Sequence, residues 1–195
     1  MIYIDENIWN FDLQEALAAI PPWRREYALR YRQELDQRLC VAAYLLLQRA
    51  LRQQYGIGEP PRLVFTGAGK PILDGHPDIH FSLSHCRLAV ACAVSDTPVG
   101  IDVEAHDHYD PEVAQRVMNQ QEMHQIITSA NPEVTFTRLW TMKESFYKLT
   151  GASSLKTGNH AGDDIDIPNL LDQATHCRFT TIVHPQFTVT RCTSK

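Results

Sequence analysis

A chain of 195 residues, 44% hydrophobic and 21% charged, has the composition of a globular protein with a sizeable core. Its formal net charge of −5 excludes a nucleic-acid binder that works through a general basic field. Its five cysteines form no C-x-x-C pair and their number is odd, which excludes a zinc ribbon or a complete disulfide framework.

Reduced thiols are the reading that follows, and they point to a cytoplasmic protein. The opening stretch, MIYIDENIWNFD, carries acids and lacks the basic start and apolar run of a secretory signal. No run approaches the roughly 18 apolar residues that a membrane span needs.

Residues 21–55 are predicted as a helix. Pro21 and Pro22 open it, Leu35, Leu39, Ala42, Ala43, Leu46, Leu47 and Ala50 recur at helical spacing, and Gly56 ends it. Arg24, Arg25, Arg30, Arg32 and Arg38 crowd the same segment off its apolar stripe, which leaves room for a local anion site. The period then shortens. RLVFTG (62–67), DIHFSLSH (78–85), LAVACAVS (88–95) and VGIDVE (99–104) read as strands separated by the turns GAGKP, DGHPD and DTPVG. The last three follow so closely that an antiparallel meander is expected.

Helix returns from Pro111 to about residue 128, and again over 135–151 with Gly151 as its C′ residue. Residues 151–164, GASSLKTGNHAGDD, read as a loop. CRFTTIVH and QFTVTRC close the chain as a hairpin around Pro185. The order helix–strands, then helices–strands, predicts an α+β fold of two similar lobes, 1–100 and 101–195.

Within VGIDVEAH, Asp102 and Glu104 fall on one face of a strand, with Val99, Ile101 and Val103 on the other. Like charges that close oppose each other's ionisation. Either a cation sits between them or the strand is a solvated edge. Glu144, in WTMKESFYK, shares a helical face with Trp140, Tyr147 and Lys148. It is either a solvated partner of Lys148 or one of a carboxylate–ammonium pair aimed at an anionic substrate. Three carboxylates suit Mg²⁺, which prefers hard oxygen ligands.

In FSLSH, Ser82 and Ser84 line one face and His85 ends the strand, a structural histidine or a donor to phosphate. Lys70, in GKP, taken alone is a solvated turn lysine. His106 and His108 lack further zinc ligands of telling spacing. Cys86 and Ser84 both adjoin His85, but neighbours on a strand point apart, so neither makes a nucleophile–base dyad.

Taken in order, GKP, FSLSH, VGIDVE and RLWTMKESFYKLTG resemble the phosphopantetheinyl transferases, in their two-lobed single-chain class. The strong resemblance covers residues 67–151. It implies two similar α+β lobes in one chain, a pseudo-dimer with the site in the cleft between them, and hence a monomer. The implied reaction moves the phosphopantetheine arm of coenzyme A onto a serine of an apo carrier protein, acyl or peptidyl. It uses Mg²⁺ and releases adenosine 3′,5′-bisphosphate.

Carried over residue by residue, the resemblance gives the metal to Asp102, Glu104 and Glu144. Glu122 falls at a proposed general base, and Lys148 at a group that balances phosphate charge or protonates the leaving group. Ser84 and His85 would hold the 3′-phosphate, helped by Arg38 and Arg25, while Lys70 and Pro71 would shape the nucleotide pocket. Ser82 departs from the family, which often has Asn there. A non-catalytic module that binds coenzyme A or a carrier protein on the same scaffold is the alternative, followed by another Mg²⁺-dependent phosphoryl-transfer enzyme.

Overall fold

The computed structural model describes residues 1–67, 69–151 and 166–195. Two three-stranded antiparallel sheets, each faced by one long helix, organise them. The first sheet has strand β1 (Ile2–Asp5) at one edge, β5 (Val90–Ser95) in the centre and β4 (His80–His85) at the other edge. The second runs β6 (Val99–Ala105), β8 (Phe187–Ser194), β7 (Cys177–Val183). In both, a single strand pairs with the second arm of a later hairpin. The same strand order thus occurs twice.

The alternation in LAVACAVS explains how these layers stack. Val90, Cys92 and Val94 face helix α3 (Glu34–Tyr55) and pack with its Leu39, Leu46, Leu47 and Leu51. Ala89, Ala91 and Ala93 face the other way, against Ile101, Val103 and Val189 of the second sheet. Period two sorts the faces, and the small alanines let the second sheet come close.

The even positions of β6 point away from that layer, toward helix α6 (Pro132–Leu149). The approach is tightest at Gly100, where a Cβ would overlap the Ser145 carbonyl oxygen and stand 2.6 Å from the Leu149 nitrogen. On β8, Thr190 lies 2.8 Å from Thr141 of α6, hydroxyl to hydroxyl.

Several expectations change. The predicted helix over 21–55 is two helices, α2 (Pro22–Ala28) and α3, because Leu29–Gln33 turns between them. Helix α1 (Leu13–Ala19), capped by Asp12, and β1 were not foreseen. The helix over 111–128 is likewise divided into α4 (Pro111–Val117) and α5 (Gln120–Thr128), since Asn119 starts a new helix with a capping box to Glu122.

The expected meander stops after β4–β5, because β6 takes β8 as its ladder partner. The strand at 62–67 is β2 (Leu63–Phe65), and it forms a separate hairpin with β3 (Pro71–Leu73). Beyond Gly151, the loop expected over 151–164 lies outside the described residues. Among the described residues, no helix is long and apolar enough to cross a membrane, and all five cysteines are buried as free thiols.

Candidate active site

Strand β6 lies at the edge of its sheet beside β4, yet the two share no ladder. Serine side chains replace it. Ser82 Oγ accepts the Ile101 N–H at 3.1 Å, and Ser84 Oγ accepts that of Val103 at 3.3 Å. Buried edge N–H groups need acceptors, and two hydroxyls one strand period apart meet Ile101 and Val103, two residues apart on β6. This is the role of Ser82 where the family often carries Asn.

Ser84 does more. Its hydroxyl donates to Asp102 Oδ1 at 2.7 Å and accepts from Lys148 Nζ at 3.0 Å. Lys148 also donates to the same Asp102 oxygen, at 2.8 Å. β4, β6 and α6 therefore converge on one small polar group. The Lys148 ammonium thus brings a positive charge to Asp102. Asp102 Oδ1 is saturated, whereas Oδ2 is buried with no hydrogen-bond partner among the described residues, a costly state for a carboxylate oxygen.

Glu144 stands one turn before Lys148 on the same stripe of α6 and is fully buried. Trp140, a further turn back, lines a cavity of about 240 Å³ together with Glu104, Phe136 and His108. The 140–144–148 stripe thus runs antiparallel along the 104–102 face of β6. A solvated strand edge and a solvated Glu144–Lys148 pair were the alternatives to a cation site. Asp102, however, is 2% exposed, Glu104 5% and Glu144 0%, because α6 and the first sheet close over them. His108 approaches Glu104 at 3.9 Å.

Among the described residues, no three His, Cys, Asp or Glu side chains stand close enough to enclose a metal. The acids form a row, not a cage. That row suits a hard cation all the same. Its donors are oxygens, one of them unpartnered, and Mg²⁺ needs only one or two carboxylates when waters and phosphate oxygens complete its shell.

The remaining expected site residues are dispersed. His85 is exposed at the end of β4, next to the Ser84 node. Arg25 is half-buried in the last turn of α2. Arg38 is engaged by Glu34 and by the carbonyls of Ile8 and Phe11, and it packs against the rings of Trp9 and Phe11. Arg24 is buried, donating to the Cys40 carbonyl and lying over the rings of Tyr27 and Tyr44. Pro71 begins β3, opposite Phe65. Lys70 reaches the junction, but its ammonium meets the carbonyls of Val99 at 3.2 Å and Lys148 at 2.5 Å. Burial, and then the neighbouring Lys148, lower its pKa to about 8.

Glu122 is not brought to the Asp102 group. Its Oε2 accepts the Asn119 N–H and pairs with Lys143 Nζ, both at 2.9 Å. Lys143 also donates to the carbonyls of Ile167 and Pro168. Burial lowers the Lys143 pKa, and the Glu122 carboxylate opposes that shift. Position 143 lies about 100° around α6 from Glu144, so consecutive residues serve different neighbours. Lys143 is a residue that sequence reasoning missed. The signal available was the N-x-x-E cap at 119–122, which fixes where Glu122 must point. Cys86 stays inert, since burial pushes its thiol pKa up.

Comparison with known proteins bears on this geometry. Residues 98–191 match the profile of the 4′-phosphopantetheinyl transferase superfamily. Over 153 residues the chain is 30% identical to the 4′-phosphopantetheinyl transferase Sfp of Bacillus subtilis, covering 77% of this chain and 68% of that protein. It is 34% identical over 131 residues to the 4′-phosphopantetheinyl transferase psf-1 of Bacillus pumilus, covering 66% and 56%. For the 4′-phosphopantetheinyl transferase gsp of Aneurinibacillus migulanus the identity is 32% over 151 residues, covering 76% and 61%. The chain thus spans between 56% and 68% of the length of these relatives.

Proposed function

Because the chain belongs to the 4′-phosphopantetheinyl transferase superfamily, we propose that it moves the 4′-phosphopantetheine arm of coenzyme A onto a serine of an apo acyl or peptidyl carrier protein. Adenosine 3′,5′-bisphosphate is the leaving product. The serine hydroxyl gives up its proton as its oxygen bonds to the β-phosphorus, and the diphosphate bridge breaks with its electron pair left on the departing bisphosphate. Such a transfer depends on positioning and on neutralising anionic oxygens more than on covalent chemistry by the enzyme.

One observation carries this reading: the divided Asp102 carboxylate, with Oδ1 held by Ser84 and Lys148 and Oδ2 buried without a partner among the described residues. An oxygen fixed in this way is prepared for a cation. Mg²⁺ is the cation proposed, with Asp102, Glu104 and Glu144 as the side chains that would hold it. When bound, it would supply charge neutralisation at the diphosphate. Lys148 brings an ammonium to the same place and stabilises charge that develops on the departing phosphate. His85 and Arg25 are the cationic groups proposed for the 3′-phosphate. Ser84 and Arg38, also expected at the 3′-phosphate, are engaged by Asp102 and by the Ile8 and Phe11 carbonyls.

On this reading the site lies between two similar α+β lobes, 1–100 and 101–195, a division supported by the repeated strand order. The test is to mix the protein with apo carrier protein, coenzyme A and Mg²⁺ and to weigh the carrier. A gain of one phosphopantetheine group is expected, abolished by a chelator. No gain, with coenzyme A still bound, would make the chain a binding module on this scaffold.

A further inference from the structure

The lysine of the GKP turn is held too firmly to be an ordinary surface group. Its backbone N–H donates to Thr66 Oγ1 at 3.2 Å, and its carbonyl accepts the Thr66 N–H at 3.0 Å. Gly69, at φ +81°, makes the reversal that this closure needs. The side chain then leaves the hairpin and enters the junction of the two sheets.

There it meets two carbonyl groups. Val99 opens β6, the strand that carries Asp102 and Glu104. Lys148 stands in the last turn of α6, where the helix dipole is negative, and its carbonyl also accepts the Gly151 N–H at 3.4 Å. A cation at a helix C-terminus is favourable, and here it comes from a distant part of the chain. The carbonyl it binds belongs to the residue whose own ammonium holds Asp102.

We propose that Lys70 is a positioning residue for Lys148, acting through the Val99 and Lys148 carbonyls and not by touching coenzyme A. It latches the start of β6 to the end of α6, so that the Lys148 side chain arrives at Asp102 in one place. Loss of its proton does not release the latch, because a neutral amine keeps two N–H groups for two carbonyls. The inference rests on the transferase reading above.

The experiment compares Lys70→Met, Lys70→Gln and Lys70→Arg with the parent protein, using coenzyme A and dephospho-coenzyme A with apo carrier protein. Hydrogen exchange of the unliganded proteins is measured in parallel. Misplacing a group by about 1 Å can cost about a hundredfold in rate. The expected result is therefore a fall in kcat of at least about tenfold in the Met variant, with KM for coenzyme A and its preference over dephospho-coenzyme A little changed. Residues 149–151 should exchange faster, and Arg should restore part of both effects.

A raised KM for coenzyme A, with lost preference for the 3′-phosphate and unchanged exchange at 149–151, would overturn the proposal in favour of a phosphate ligand. If the Met variant does not fold, Gln and Arg carry the same comparison. A parent protein that transfers nothing would defeat the transferase reading, while the exchange data would still decide the latch.

Discussion

Lys148 and Asp102 form an ion pair at 2.8 Å in which both side chains are shielded from water. Taking away one member of such a pair strands the other, which costs about 3–5 kcal/mol. Asp102→Ala should therefore lose both stability and transfer. Asp102→Asn keeps the shape and a hydrogen-bond acceptor, so it should lose less stability while activity still falls by at least about a hundredfold. Urea unfolding alongside the carrier mass assay reads both. Full activity in the Asn variant would contradict the role given to this carboxylate.

Ser84 and His85 are adjacent, yet they should behave differently. Ser84→Ala removes a donor to Asp102 and an acceptor for Lys148 and Val103, at a cost of about 1–3 kcal/mol. Its discrimination between coenzyme A and dephospho-coenzyme A should be unchanged. His85→Ala should weaken coenzyme A more than dephospho-coenzyme A, with little effect on the melting temperature. Equal losses for the two ligands would remove His85 from the 3′-phosphate.

Glu122→Gln separates two roles. The buried Lys143 would lose its countercharge, so a stability loss approaching about 3 kcal/mol is expected, with kcat affected less than in the Asp102 variants. A fall in kcat of about a hundredfold or more at unchanged stability would instead mark Glu122 as the general base.

Gly100→Ala should prevent α6 from seating on β6. The added methyl meets helix backbone, which cannot swing aside as a side chain can. Overpacking of this kind typically costs about 1–3 kcal/mol and here should reach or exceed that range. Thermal unfolding would show it. A melting temperature equal to that of the parent would mean that helix and strand are not in contact at that point.

The lowered pKa of Lys70 gives stability a definite pH dependence. Between about 8, its value in the fold, and 10.5, its ordinary value, the unfolded chain holds more protons at this site than the folded one. Stability contributed by the group therefore rises with pH across that window and is level below about 8. Subtracting the unfolding free energy of Lys70→Met from that of the parent at successive pH values isolates it. A difference that falls between pH 8 and 10 would reverse the sign.

Much of this architecture could be read from residue order. Strict alternation in LAVACAVS and VGIDVEAH gave β5 and β6, and the stripe through Trp140, Glu144 and Lys148 gave the face of α6 that meets β6. Period two names a face but not the partner on it. That is why β6 was expected to join β5 and not β8, and why the contacts of Ser84 with Asp102 and Lys148 were not foreseen. β1 and α1 have four and seven residues, too few for a period to stand out. The break before Asn119 was legible as a cap, but a continuous apolar count across 111–128 hid it. Arginines in a run suggested an anion site. Only packing could reveal that Arg24 and Arg38 hold the N-terminal segments together.

Where β4 meets β6, hydroxyls close the gap that amide-to-carbonyl pairing would close inside a sheet. A serine can turn about one bond and keep its neighbour, whereas a ladder must slip by whole residues. The two sheets thus meet there through side-chain hydroxyls and not through a ladder. A change in that spacing would bear on Ser84, which also holds Asp102.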